Sequence, residues 1–186
     1  FKDGSYIIGK YLENIDDLVV SSNLEIKDQK TISGQNKREV SLIIEPKTTY
    51  ENYKNELISV SCGLQEDKIN EIEKALIIDK ITRFVNLKLG NSLATKIIVL
   101  QEEYQNQPFY GLNQLPSFLS PFPNEFMFEL KFLKTFLNNY LKENLQLNPR
   151  KEQWIYDGIQ VFLMMQYVEE NYPNLKMTGN LAHLKI

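Results

Sequence analysis

Two acidic residues, Glu129 and Asp157, stand in the middle of apolar helical stripes, where a carboxylate requires a partner. On a helical wheel of about 100° per residue, the residues within about 80° of Glu129 are Phe132, Leu133, Phe136, Leu137 and Tyr140. On the same wheel, the residues within about the same arc of Asp157 are Trp154, Val161, Met164, Met165 and Val168. An ionised carboxylate in an apolar interface is strongly unfavourable unless it is paired. We therefore expect the two helices to pack together with both acids at their seam, as a two-helix acidic site.

A simpler interpretation of the two acids stays open. Glu129 lies near the start of its predicted helix, where carboxylates are common because they interact favourably with the helix dipole. In that case Glu129 remains hydrated, and Asp157 bonds to a neighbouring backbone group. The two interpretations differ in whether the helices converge at Glu129 and Asp157.

The elements that carry these acids are two long helices late in the chain. Apolar periodicity predicts the first over residues 124–145. The second is predicted to begin with Asn148 as N-cap and Pro149 at the first helical position, and to run to Tyr172, before Pro173. The proline-rich and aromatic sequence ahead of both helices is typical of an ordered loop or an edge strand.

The N-terminal part of the chain is predicted to be rich in strands. Runs of β-branched residues bounded by turn signals indicate strands over residues 5–11, 18–26, 39–44 and 57–62. From Gln65 the apolar period changes to three and four, which predicts a helix that ends at Gly90, and residues 96–101 read as a buried strand. We therefore predict an α+β fold, with a β-rich segment over residues 1–63 and a mostly helical segment over residues 64–186.

The composition excludes several classes of protein. Hydrophobic residues make up 42% of the chain, aromatic residues 11% and charged residues 24%, which is typical of a folded globular protein. The net charge of −3 gives no general attraction to polyanions, so we expect no nucleic-acid partner. The apolar runs are far shorter than the roughly 18 residues of a membrane-spanning helix, so we expect no such segment.

A single cysteine and a single histidine limit the chemistry further. One thiol excludes an internal disulfide, and one imidazole excludes most zinc sites, which take their ligands mainly from Cys and His. Cys62 stands at a predicted strand end, and only His183 could activate its thiol. We therefore expect Cys62 to be a small buried apolar residue and His183 to lie on the surface.

The order of a strand, the segment YGLNQLP, a helix and a second helix with WIYDG resembles the catalytic half of the aminopeptidase N family of zinc metallopeptidases, the gluzincins. That family has a G-A-M-E-N substrate-binding strand, an H-E-x-x-H helix and a downstream W-L-N-E-G helix. Residues 128–132 fall on the second motif and residues 154–158 on the third. Residues 111–114 fall on the first motif with one residue dropped. The resemblance therefore implies a substrate-binding role for Gly111, Leu112, Asn113 and Gln114.

The zinc ligands of that family are missing from the matched positions. Phe128 and Phe132 stand where the family has its two histidines, and Asp157 stands in place of the third ligand, a glutamate. A phenyl ring offers zinc no lone pair, so the resemblance implies vestigial metal positions and no zinc or other cofactor. Glu129 keeps the general-base position of the family without a metal-bound water to deprotonate.

These observations predict a catalytically inactive, aminopeptidase-like module, with a thermolysin-like helical segment and a binding or structural role. An active zinc-dependent aminopeptidase and an unrelated protein-interaction domain are the alternatives. We expect a peptide or protein partner, because residues 110–116 would form an edge strand whose backbone groups can bind a peptide without a metal. Since the sequence starts at Phe1 without a methionine, we also expect the rest of a longer chain.

Overall fold

The computed structural model describes residues 6–8, 18–22, 25–28, 31–34, 42–46, 50–106, 122–145 and 147–173. Within these ranges, small β-sheets occupy the first part of the chain and helices dominate the remainder. The predicted α+β class is confirmed.

Two antiparallel sheets contain the first five strands, which are β1 (Tyr6–Ile8), β2 (Leu18–Ser22), β3 (Glu25–Asp28), β4 (Thr31–Gly34) and β5 (Leu42–Pro46). Strand β4 pairs with β1 and β3, and β2 pairs with β5. The single strand predicted over residues 18–26 is wrong, because β2 and β3 belong to different sheets. Strand β4 was not predicted, and its residues Ser33 and Gly34 pair with β1.

A third sheet positions the candidate sites. It contains β6 (Glu51–Lys54), β7 (Ser59–Cys62) and β8 (Lys96–Val99) in that order. Strands β6 and β7 are antiparallel, whereas β7 and β8 are parallel. Parallel neighbours need a long crossover, and helix α1 (Glu71–Leu89) lies on the connection between them. This sheet therefore draws strands from both sides of residue 63.

Helix α1 begins with a complete capping box. The Asn70 side chain accepts a hydrogen bond from the Glu73 backbone N–H at 2.9 Å, and the Glu73 carboxylate accepts one from the Asn70 N–H at 3.2 Å. The helix therefore starts after Asn70 and not at Gln65 as predicted, because this exchange satisfies two of the unpaired N–H groups of the first turn. The predicted end at Gly90 is confirmed, and its φ of 86° is one that glycine adopts readily.

Three further helices follow β8, namely α2 (Gln101–Asn106), α3 (Asn124–Asn144) and α4 (Pro149–Asn171). The sequence did not predict α2, but α3 and α4 confirm the two long helices to within a residue. Helix α3 is central, because it contacts α1, α2, α4 and β8. In the described part of the chain, no helix combines the length and the apolar character that crossing a membrane requires.

The core-facing side of α3 is lined by aromatic rings at a spacing of four residues. Phe128, Phe132, Phe136 and Tyr140 are all buried. Successive ring centroids are 6.3, 5.5 and 5.8 Å apart. Residues four apart lie on the same side of a helix, so the rings form a continuous apolar column between α3 and its neighbours.

Candidate functional site

Glu129 of α3 lies at the junction of three helices. Its side chain is only 6% exposed. The Lys80 ammonium of α1 lies 3.2 and 3.4 Å from its two carboxylate oxygens, and the Tyr167 hydroxyl of α4 donates a hydrogen bond to it at 2.7 Å. The carboxylate is therefore buried and paired, and the cation comes from α1, which the sequence did not indicate.

A fourth group completes this arrangement, which we call the Glu129 cluster: Lys80, Glu129, Tyr167 and Tyr172. The Tyr172 hydroxyl also bonds to Glu129. The Lys80 nitrogen lies 5.2 Å from the ring centroid of Tyr167 and 5.3 Å from that of Tyr172, within the range of cation–π attraction. Burial, reinforced by the bond to Glu129, raises the pKa of both phenols well above their usual range. Both hydroxyls therefore remain protonated donors at neutral pH.

The Glu129 cluster is built to hold helices together. A general base needs a free lone pair directed at the proton that it removes. The lone pairs of Glu129 already accept from an ammonium group and from phenol hydroxyls. These bonds link α1, α3 and the end of α4, so the arrangement fixes the relative positions of the three helices.

Asp157 does not join Glu129, and the prediction that both acids lie at the seam is wrong. Asp157 is exposed on α4, and its carboxylate accepts a hydrogen bond from the Gln153 side chain at 2.8 Å. The seam is instead formed by another side of α4, which contains Tyr156, Gln160, Leu163 and Tyr167. Three of these residues bury polar atoms that find hydrogen-bond partners in the core, so a wheel based on hydrophobicity selected the wrong side.

The predicted burial of the apolar residues around Asp157 on the wheel is also wrong in part. Met164 and Val168 are buried as expected. Trp154, Val161 and Met165 are exposed instead, so they do not form part of the core around α3. Helix α4 therefore has apolar residues on both its inner and its outer sides.

The positions matched to zinc ligands do not fit a zinc ion. Phe128 and Phe132 are fully buried in the aromatic column, and Asp157 lies on the outer side of another helix. In the ranges that the structure describes, no three His, Cys, Asp or Glu side chains are grouped as metal ligands. Glu129, which the resemblance places at the general-base position, faces Lys80 and tyrosine hydroxyls rather than these positions.

Of the remaining residues that the sequence analysis singled out, only Cys62 lies in the part of the chain that the structure describes. Cys62 is buried, and burial raises the pKa of its thiol to about 11, which confirms the expected small apolar residue. His183 and residues 110–116 lie outside the described residues. So do the expected substrate-binding residues, Gly111, Leu112, Asn113 and Gln114.

A second candidate site, which the sequence did not indicate, is a groove between β6 and α1. Its volume is about 650 Å³. Buried Ile58, Val60 and Ile78 contribute to its lining, and Ile72 and Leu76 of α1 contribute exposed apolar side chains. Strand β6 is an edge of its sheet, because no other described strand pairs with its outer side. An apolar groove thus lies beside a row of backbone groups that could pair with another strand.

Polar contacts fix one end of this groove. The Asn55 side chain donates hydrogen bonds to Asp79 and to Thr82, both at 2.9 Å. Asp79 also accepts from the Arg83 guanidinium at 2.8 Å. The bonds from Arg83 and Asn55 lower the pKa of Asp79, so its carboxylate is ionised at neutral pH and paired with the Arg83 guanidinium.

Comparison of the chain with protein-family models, with curated proteins and with solved structures gives no match in any of the three. The resemblance to the aminopeptidase N family therefore stays a prediction based on the motifs alone.

Proposed function

We propose that this chain is a protein-binding module that holds an extended peptide segment of its partner along β6, over the groove between β6 and α1. The observation that carries the proposal is an edge strand beside an apolar groove. Exposed isoleucine and leucine side chains at Ile72 and Leu76 favour contact with an apolar partner surface. Strand addition supplies affinity through backbone hydrogen bonds, and the groove supplies selectivity for side chains.

The alternation of β6 supports this mode of binding. Glu51 and Tyr53 are partly buried, whereas Asn52 and Lys54 are exposed. An edge strand leaves every second residue's backbone N–H and C=O directed away from its sheet partner. A peptide added to β6 would direct alternate side chains over the groove.

The Glu129 cluster supports a function without catalysis. Its carboxylate is occupied by Lys80 and tyrosine hydroxyls, and Asp157 lies elsewhere on the surface. The proposal keeps the binding role expected of an inactive aminopeptidase-like module and needs no metal. It assigns that role to β6 and α1, whereas the sequence prediction assigned it to residues 110–116.

A peptide titration with a matched pair of variants tests the proposal. Leu76 and Leu87 are both leucines of α1, with exposures of 66% and 80%, but only Leu76 lines the groove. A library of peptides with alternating apolar residues is first screened for binders by fluorescence anisotropy. We expect Leu76→Glu to weaken the best binder about tenfold or more, whereas Leu87→Glu leaves its affinity unchanged.

The backbone contribution is tested by methylating the peptide nitrogens one at a time. Strand addition predicts that affinity falls at every second position, because alternate N–H groups face β6. The absence of any binding at millimolar peptide would refute the proposal, and so would equal losses from the two leucine variants. If Leu112→Pro abolished binding and Leu76→Glu did not, the site would lie at residues 110–116 instead.

A further inference from the structure

Helix α4 has a second apolar side that the described part of the chain does not cover. We call it the outer stripe, and it consists of Trp154, Gly158, Val161, Phe162 and Met165. On a wheel of about 100° per residue these residues span an arc of about 100°, opposite the side that packs on α3. Trp154 is 73% exposed. A helix that is apolar on opposite sides is usually covered on both.

We propose that the outer stripe binds the outer stripe of a second copy of this chain. The two α4 helices lie antiparallel, about a twofold axis level with residue 160. In such an interface, the contact of one residue with another is repeated with the two copies exchanged. The inference does not depend on the peptide site at β6, which is made by other elements.

Shape complementarity between the two copies supports this arrangement. Apart from its chain neighbours and the backbone of its own helix, nothing lies within 4 Å of the position that a Cβ of Gly158 would occupy. The twofold axis places Phe162 of the second copy over Gly158, so a ring fills the space that the missing side chain leaves. It also places Trp154 against Met165 at each end, a favourable contact between an aromatic ring and a thioether. Glycine destabilises a helix interior, so a packing role accounts for its position in α4.

Charge complementarity selects the antiparallel orientation. Lys151 and Glu169 are exposed and lie near opposite ends of α4, Glu169 on the side that carries the outer stripe and Lys151 in the first turn, ahead of the non-helical Glu152. Neither forms an ion pair with another described residue. The twofold axis brings Lys151 opposite Glu169 of the second copy, twice in each dimer. A parallel pair of helices would instead place like charges together.

The area available is sufficient for a specific dimer. A large side chain has about 150–250 Å² of surface, so the four exposed side chains of the outer stripe present on the order of 500 Å² per copy. Two copies together then bury at most about 1,000 Å², which is near the lower limit for a specific interface. We therefore expect a reversible dimer whose population depends on concentration.

Charge reversal tests the pairing directly by sedimentation equilibrium. Lys151→Glu alone places two glutamate pairs in the dimer, and Glu169→Lys alone places two lysine pairs there. Each variant is expected to raise the dimer dissociation constant about tenfold or more, since like charges oppose each other in the interface. An equimolar mixture of the two variants should recover the affinity of the unaltered chain, because the heterodimer restores both opposite-charge contacts.

Two further variants distinguish this specific contact from nonspecific association of exposed apolar surface. Gly158→Glu is expected to abolish dimer formation, whereas Leu87→Glu, on an exposed leucine of α1, leaves it unchanged. Circular dichroism checks that each variant keeps its helical content. A chain that stays monomeric up to about 1 mM would overturn the proposal. A dimer whose affinity is not restored in the mixture would overturn it equally, because its copies would meet in another way.

Discussion

Removing the cation from the Glu129 cluster should destabilise the fold more than removing a cation from the surface. Lys80 and Lys88 are both on α1, both pair with a carboxylate, and both lie over aromatic rings. They differ in the burial of the carboxylate, since the Glu129 side chain is 6% exposed and the Glu170 side chain 48%. The pair Lys80→Met and Lys88→Met therefore compares the loss of a cation from a buried carboxylate with its loss from an exposed one.

The expected loss of unfolding free energy depends on how deeply each ion pair is buried. Breaking a fully buried pair costs about 3–5 kcal/mol, and breaking an exposed pair about 0.2–1 kcal/mol. Lys80 is itself 41% exposed, so water compensates part of the loss. We expect Lys80→Met to lower the free energy of unfolding by about 2 kcal/mol and Lys88→Met by about 0.5 kcal/mol.

Urea unfolding followed by circular dichroism measures both values, provided that the two variants keep the same dependence on urea. Adding Glu129→Gln to Lys80→Met should recover part of the lost stability, because it removes the uncompensated charge while keeping an acceptor for Tyr167. Equal losses from the two lysine variants would refute the argument. So would a further loss on adding Glu129→Gln.

Three other outcomes are expected. Because burial raises the pKa of the Cys62 thiol from 9.0 to about 11, the free energy of unfolding should fall as the pH rises from 9 towards 11, by about 2 kcal/mol at pH 10.5. Urea titrations should show that Cys62→Val lacks this contribution. Asn70→Ala should cost about 1 kcal/mol in the same assay, whereas Asn70→Asp, which can also cap α1, should cost much less. Placing histidines at the two positions matched to the family's zinc ligands, with Phe128→His and Phe132→His, should yield neither stoichiometric zinc after dialysis nor hydrolysis of aminoacyl arylamides, because Asp157 lies on the outer side of α4. One zinc ion per chain by elemental analysis would contradict that expectation.

The helices were the most predictable part of the fold, because their ends are specified locally. Gly90 ends α1, and Asn148 with Pro149 starts α4, as the sequence indicates. The start of α1 was misplaced, since acidic residues ahead of Asn70 resemble a first turn. Strand β6 was missed because three of its four residues, Glu51, Asn52 and Lys54, are polar, so it lacks the β-branched residues that indicated the other strands.

The candidate site was less predictable, because it depends on contacts between distant parts of the chain. Lys80 meets Glu129 across 49 residues, and no local pattern indicates that approach. The orientation of α4 could not be determined from hydrophobicity, since both of its sides are apolar. Tyr156 and Gln160 lie inward because the core offers partners to their polar atoms. A wheel contains no information about those partners.

The parallel pairing of β7 with β8 also determines when this part of the protein can form during synthesis. Strand β7 and its hairpin partner β6 leave the ribosome before β8 does, and at that stage Val60 and Cys62 are not yet buried. In the folded protein Val60 and Cys62 pair with residues of β8 and belong to the same core cluster as residues of α1 and α3, all of which are made later. The hydrogen bonds from Ser59 to Thr95 and from Gly63 to Val99 likewise wait for the later strand. A nascent chain that pauses before β8 would expose an unpaired strand edge to other chains, so this interval is where a chaperone would be of most use.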